Sequence, residues 1–412
     1  MDIFERCYKF YNDNNYARSL GYPANPRMAK ALGLYPFFIP LDNNEGNEVT
    51  IDGKKFIMIG SNNYLGLTNH PKVKEESIKA IEKYGSGCTG SRFLNGTLAL
   101  HIELEEKLAK FLGKESVLVF STGYQTNLGT ITSLLKKDDV VIMDKEVHAS
   151  IVDAVYLAKS NKHVIPRFYK HNDMIGLAEI LSNYQTDIPK LLLVDGVFSM
   201  SGDIARLSEI TSHCKKYNCR IMVDDAHSIG VLGKGHGTAA HFNCIDDVDL
   251  IMGTFSKSLA SIGGFIAGSK EVIHWIQHVA RSFIFSVSLP PANLAAVIAA
   301  LEIIKTEPER VERVNHISSY VRNELRNMGY NLGNSKTPVV PIIISDQFKT
   351  MQAWELLFRS GIYTNVAIPP AVSPSKSLLR TSYMATHTED QIDRVLSEFK
   401  KLKDKIIKVK NS

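Results

Sequence analysis

The sequence predicts an α/β protein with a mainly parallel sheet in a large domain, followed by a smaller α+β domain. Three observations carry this. Short β-branched or aliphatic runs recur between residues 117 and 252. Helix-length segments separate them, and strands alternating with helices need crossovers, which give parallel sheets covered on both faces. After about residue 290 the pattern changes to long helices followed by closely spaced strand candidates.

In chain order, residues 1–60 read as an N-terminal arm with little periodicity. The apolar run 34–40 is broken by Pro36 and Pro40 and is expected to pack as an extended segment. Residues 71–84 read as an amphipathic helix with proline in its first turn. Strands are expected at 117–120, 140–143, 191–194, 221–223 and 250–252, with helices at 126–135 and 151–160 between them. Then come helices at 293–304 and 311–328, strands at 339–344, 362–366 and 378–382, and a last helix at 389–402. The domains expected are the arm 1–60, a large domain 61–290 and a small domain 291–412. No repeat or low-complexity linker separates them.

Composition narrows the function classes. The chain has 412 residues, 44% of them apolar and 22% charged, as in globular proteins. The net charge of +5 is small, and part of the excess lies in the tail 400–410, read as a solvated or frayed helix end. A nucleic-acid partner is therefore not expected. Five cysteines at irregular spacing fit no disulfide framework and no zinc motif. The start MDIFERCYKF has no apolar signal core, and no apolar run reaches the ~18 residues a membrane span needs. A cytoplasmic protein with no metal and at most peripheral membrane contact is the expectation.

Three segments carry chemistry, and one further motif is a decoy. Gly85-Ser-Gly87-Cys-Thr-Gly90 matches a dinucleotide fingerprint in letters only, because a helix and not a strand precedes it. Ser121-Thr122-Gly123-Tyr124 follows a strand and opens a helix, a place where free N–H groups take phosphate. Asp224, at the end of the strand before Asp225-Ala226-His227, could pair with a protonated pyridine nitrogen. Lys257, in Gly253-Thr-Phe-Ser-Lys257-Ser258, follows the next strand among small residues and hydroxyls. A buried lysine there would supply the neutral amine of a Schiff base with pyridoxal phosphate (PLP). Each segment alone also has a structural reading: a turn, a capped helix, a satisfied histidine. Their order, each at a strand end, is the specific signal.

These residues resemble the α-oxoamine synthases, PLP enzymes of fold type I. The resemblance runs from about Gly60 to Ile392 and rests on SNNYLGL (61–67), YGSGCTGSRFLNGT (84–97), FSTGYQTNLG (120–129), VDDAHSIG (223–230), GTFSKS (253–258) and SFIFSVSLPPA (282–292). Within the family the wording is most similar to the soluble bacterial serine palmitoyltransferase branch. The resemblance implies an acyltransferase that joins L-serine to a long-chain acyl-CoA with loss of CO2, as in sphingolipid biosynthesis. It implies Lys257 as the Schiff-base lysine, Asp224 at the pyridine nitrogen, His227 at the ring hydroxyl and His148 stacked on the ring. It places Gly123, Tyr124, Thr254 and Ser256 around the phosphate and Ser199 among the cofactor contacts. Ser286 would reach the phosphate of a second subunit, hence a homodimer. Arg380 would receive the amino-acid carboxylate, with Asn63 and Tyr64 near the substrate. Ile368 stands where that branch carries a second arginine before a Pro-Pro pair. A sister synthase using glycine or alanine, an aminotransferase, and a non-catalytic module on the same fold are the alternatives.

Overall fold

The computed structural model describes residues 2–22, 24–369 and 371–407, and it divides into two compact units. The larger comprises Asn63–Ser199 and Asp203–Arg313, and the smaller Met1–Asn62, Met200–Gly202 and Val314–Ser412.

The larger unit is organised by a seven-stranded sheet. Its strands are β1 (Ser116–Phe120), β2 (Val140–Asp144), β3 (Ile165–Tyr169), β4 (Lys190–Asp195), β5 (Arg220–Asp224), β6 (Leu250–Thr254) and β7 (Gly264–Gly268). They lie in the order β1-β7-β6-β5-β4-β2-β3. All neighbours are parallel except β7, which runs antiparallel to both β1 and β6. The residues of β2, β4 and β6 are buried throughout, as expected of parallel strands covered on both faces. Helices Gly123–Leu134, Ala149–Lys162 and Lys270–Val279 bury Ile131, Ile151, Ala154, Ile273 and Ile276 into the core with Val141, Met143, Leu193 and Ile266. Helix Pro71–Tyr84 matches the expected bounds and packs against Pro291–Thr306.

Two strands of this sheet were not anticipated. β3 carries Pro166 and Arg167 and pairs only with β2, and an edge position tolerates both residues. β7 opens on Gly264. A Cβ there would lie 2.8 Å from the Cα of Gly123, so glycine is what lets the start of helix Gly123–Leu134 approach the sheet.

In the smaller unit, Val339–Ile343, Leu378–Ser382 and Asn365–Ala367 form an antiparallel sheet with Leu378–Ser382 central. The N-terminal segment is more structured than expected. It contains helices Glu5–Asn12, Asn14–Ser19 and Pro26–Ala31, and a hairpin, Glu48–Ile51 with Lys54–Met58. Ile362–Tyr363 adds to that hairpin in parallel, so the expected strand 362–366 is two short ones. The core joins Ile57 and Ile59 to Val340, Trp354, Leu379, Val395 and Phe399. The last helix, Glu389–Ile407, extends beyond its expected end, and residues 408–410 of the basic tail lie outside the described residues. Among the described residues no helix is long and apolar enough to cross a membrane.

Candidate active site

Open α/β sheets gather ligands at the carboxyl ends of their strands, and a cavity of about 330 Å3 lies there in the larger unit. That size falls within the ~300–1,000 Å3 usual for ligand sites. Its lining includes Gly123, Tyr124, His148, Asp224, His227, Thr254, Ser256 and Lys257, all named by the sequence. A larger cavity, about 520 Å3, lies at the opposite strand ends. Its lysines are already occupied: Lys114 Nζ donates to the carbonyls of Ile245 and Val248, and Lys190 Nζ to those of Gln185 and Ile188.

A buried chain of hydrogen bonds organises the back of the site. Asp224 ends β5 and accepts from Asn127 Nδ2 at 2.8 Å and from the Ala226 N–H at 3.0 Å. Asn127 Nδ2 also donates to Ser150 Oγ at 2.9 Å. Ser150 Oγ is 2.7 Å from His148 Nδ1, and the Ser150 N–H donates to the same nitrogen. Nδ1 thus acts as an acceptor, which assigns the ring proton to Nε2. Burial pushes the His148 pKa below its ordinary value, with Lys257 acting in the same direction and Asp224 opposing. The ring is therefore neutral at pH 7. Asp195 ends β4 beside Asp224 and accepts from the His148 N–H at 3.2 Å. Burial and the neighbouring Asp224 charge raise its pKa well above the carboxylate range.

The wall of the cavity at the start of helix Gly123–Leu134 is built from backbone. Helix Gly123–Leu134 is capped by Thr122, whose hydroxyl accepts from the Gln125 N–H and whose carbonyl accepts from the Thr126 N–H. The N–H groups of Gly123 and Tyr124 come before these and have no turn behind them. Thr254 Oγ1 donates to the Gly263 carbonyl at 2.9 Å and meets the Ser256 N–H and hydroxyl. Thr254 therefore braces the turn, and Ser256 is the exposed hydroxyl. Lys257 lines the cavity and is half-buried, not buried as its setting suggested.

Other predicted residues sit differently. Tyr64 is fully buried, and its hydroxyl shares a 2.6 Å hydrogen bond with His227 Nδ1, so it orients that ring. Asn63 closes its own turn, donating to Thr68 Oγ1 and accepting from the Leu67 N–H. Ser199 lies four residues beyond β4 and is not among the residues lining the cavity. Ser286 Oγ accepts from Gln125 Nε2 at 2.9 Å, one residue past Tyr124. In the smaller unit, Arg380 is buried on Leu378–Ser382 with Nη1 donating to Ser382 Oγ at 3.0 Å. Ile368 is buried just past Asn365–Ala367, and Pro370 lies outside the described residues. Sequence reasoning missed Asn127, Ser150 and Asp195. Asn127 stands inside the quoted FSTGYQTNLG motif, and Asp195 ends a strand as Asp224 does.

The donor set fits PLP. It offers two open helix N–H groups and a hydroxyl for a phosphate, a carboxylate for a pyridinium, and an amine for an aldehyde. Asn127 Oδ1 is a buried acceptor with no partner among the described residues. It stands ready for a donor on a bound molecule.

Comparison with known proteins agrees. The family model for aminotransferase class I and II matches residues 54–399. A serine palmitoyltransferase of Bacteroides ovatus is 48% identical over 377 residues, covering 91% of this chain and 95% of that one. An 8-amino-7-oxononanoate synthase of Treponema denticola is 41% identical over 369 residues, covering 89% and 92%. A solved Sphingomonas wittichii serine palmitoyltransferase superposes with a TM-score of 0.91 at 33% identity, covering 98% of this chain and 99% of that one. Another serine palmitoyltransferase structure of the same TM-score was solved with PLP. The chain belongs to the aminotransferase class I and II family of fold type I PLP enzymes, within its α-oxoamine synthase branch.

Proposed function

We propose that this protein condenses L-serine with palmitoyl-CoA or a similar long-chain acyl-CoA, releasing CoA and CO2 and forming 3-ketosphinganine, the opening step of sphingolipid synthesis. The observation that carries the reading is the convergence of Lys257 with the Asp224–Asn127–Ser150–His148 chain on one cavity. The 48% identity to a serine palmitoyltransferase supports the choice of substrates.

When bound, PLP supplies a carbonyl that takes the amino group of the amino acid and a protonated ring that withdraws electrons from its α-carbon. The residues of this chain do the rest. Asp224, fixed by two N–H donors, keeps lone pairs for the ring-nitrogen proton. The neutral His148 ring offers a flat face without a charge to desolvate. His227, whose Nδ1 is hydrogen-bonded to Tyr64, takes the ring hydroxyl in this reading. Gly123 and Tyr124 N–H groups and the Ser256 hydroxyl take the phosphate. Lys257 holds the cofactor and, once its amine is released, removes the α-proton of the amino acid. Arg380 receives the carboxylate, a match for a planar guanidinium.

The same reading makes the protein a cytoplasmic homodimer in which Ser286 reaches the partner's phosphate. Phe285 and Val287 flank it and are exposed, as are Phe93 and Leu94, which supports an apolar surface for a second copy. The test is to offer serine, glycine, alanine and threonine with several acyl-CoAs and to follow thiol release. Serine with palmitoyl-CoA should be the fastest pair. Preference for glycine or alanine points to a sister synthase. Pyridoxamine phosphate formed without thiol release points to an aminotransferase.

A further inference from the structure

Helix Lys270–Val279 of the larger unit presses Ile273 and Ile276 into the core and leaves His274 and His278 exposed. The two histidines are four residues apart, so they stand one above the other on a single helix face. Their ring centroids lie 4.3 Å apart, with the planes at 45°. Two imidazoles bound to one metal ion through nitrogens at about 2.0–2.1 Å have ring centres roughly 4.5–5.5 Å apart. Small side-chain rotations therefore bring both rings onto one ion.

The hydrogen bonding of the pair suits that use. His278 Nδ1 lies 2.8 Å from the His274 carbonyl oxygen. A carbonyl oxygen only accepts, so Nδ1 carries the proton of that bond and Nε2 is left for a ligand. Histidines that ligate metals have this arrangement, in which the second ring nitrogen donates to a backbone carbonyl and fixes the ring. Phe93 packs edge-to-face on the His278 ring at 6.4 Å between centroids and supports it from one side. Glu271, exposed and three residues before His274, places negative charge on the same face.

We infer that His274 and His278 chelate a divalent transition-metal ion, through Nε2 of His278 and a ring nitrogen of His274. Imidazole donors suit zinc, copper and nickel, whereas magnesium and calcium take oxygen donors. Among the described residues no third histidine, cysteine or carboxylate converges on the pair, so water fills the remaining positions of the ion. The pair contains no cysteine, so the cysteine spacing carried no sign of it. Bridging one helical turn to the next, the ion binds the folded chain and stabilises it by mass action. Neither histidine lines the cavity described above, so the proposed function stands or falls on its own assay.

The probe is Zn(II) alone, titrated by calorimetry into the full-length holoenzyme after dialysis against EDTA, with Mg(II) as the comparison ion. The variants are His274→Gln, His278→Gln and the double variant. Both positions are exposed, so without metal all three should melt with wild type. Chelation makes the second bond intramolecular, and either single substitution should weaken Zn(II) by about 10- to 100-fold. Once one ring is lost the chelate is gone, so the double variant should be little weaker than either single one. Zn(II) should raise the melting temperature of wild type saturably and leave the variants unmoved, and Mg(II) should do neither. Two independent histidines would instead leave each single variant with wild-type affinity and half the stoichiometry, which overturns the inference. So would wild-type Zn(II) affinity in the double variant, or no saturable binding to wild type.

Discussion

Replacing Asn127 with leucine is a direct test of the hydrogen-bonded chain behind the cavity. The side chains are similar in size, so the change removes polar contacts and leaves little void. Asn127 Nδ2 donates to the Asp224 carboxylate at 2.8 Å and to Ser150 Oγ at 2.9 Å. A bond to a charged group contributes about 1.5–3 kcal/mol and a neutral one about 0.5–1.5 kcal/mol. Against this, Asn127 Oδ1 is buried without a partner, and removing it recovers about 1–3 kcal/mol. The net loss of stability without cofactor should therefore be small, about 1–2 kcal/mol. The loss of cofactor affinity should be larger. Asp224 keeps only the Ala226 N–H and is free to turn away from the ring nitrogen, and Asn127 Oδ1 no longer meets a donor. A fall of about 2–3 kcal/mol there weakens PLP roughly 30- to 150-fold. Urea denaturation without cofactor and PLP titration followed by absorbance separate the two quantities. Wild-type PLP affinity in Asn127→Leu would refute the role given to this chain. So would a loss of stability that matches the loss of affinity, since the residue would then serve only the fold.

Three further outcomes are expected. Arg380→Ala should weaken serine by about 2–5 kcal/mol, the cost of losing one partner of a buried charge pair, with the cofactor spectrum unchanged; Ile368→Ala should barely alter serine affinity, because isoleucine donates no hydrogen bond. His171 is bound on both ring nitrogens, to Asp144 at 3.2 Å and Asp203 at 3.0 Å. Burial disfavours its charged form, but these carboxylates and Glu146 outweigh that and raise its pKa to about 10. Its folded pKa lies above the unfolded value of about 6.5, so its contribution is complete below about pH 6.5 and is lost as pH rises towards about 10. Between those limits wild type should lose roughly 1–3 kcal/mol more than His171→Gln, after allowance for solvent screening at this partly exposed site. Phe285→Asp should dissociate a dimer, read by sedimentation; an unchanged, fully active dimer would place the partner surface elsewhere.

The strands were legible where the physics is local. β2, β4 and β6 are buried on both faces, so their stretches 140–143, 191–194 and 250–252 are unbroken aliphatic runs. β3 and β7 lack that signature because an edge admits Pro166 and a close backbone approach demands Gly264. The hairpin near the N-terminus did leave a signal. Asp52-Gly53 joins its strands, and both residues have positive φ, the turn such a pair favours. It was missed because the arm lacks long periodicity. In the site, Lys257, Asp224 and His227 were readable from their places just past strands. Asn127, Ser150 and Asp195 were not, because their roles depend on which groups the folded sheet brings into hydrogen-bond reach. Tyr64 and Thr254 show the converse: each lies in a recognised motif, yet their hydroxyls hold His227 and the Gly263 carbonyl in place.

The account depends most on the lysine that carries the cofactor. Reducing the holoenzyme with borohydride fixes PLP to the amine that holds it, and digestion with mass spectrometry identifies that residue. The account predicts one phosphopyridoxyl group per chain, on Lys257, in the peptide containing GTFSKS. A label on any other lysine, or none on a chain that remains active, would contradict it.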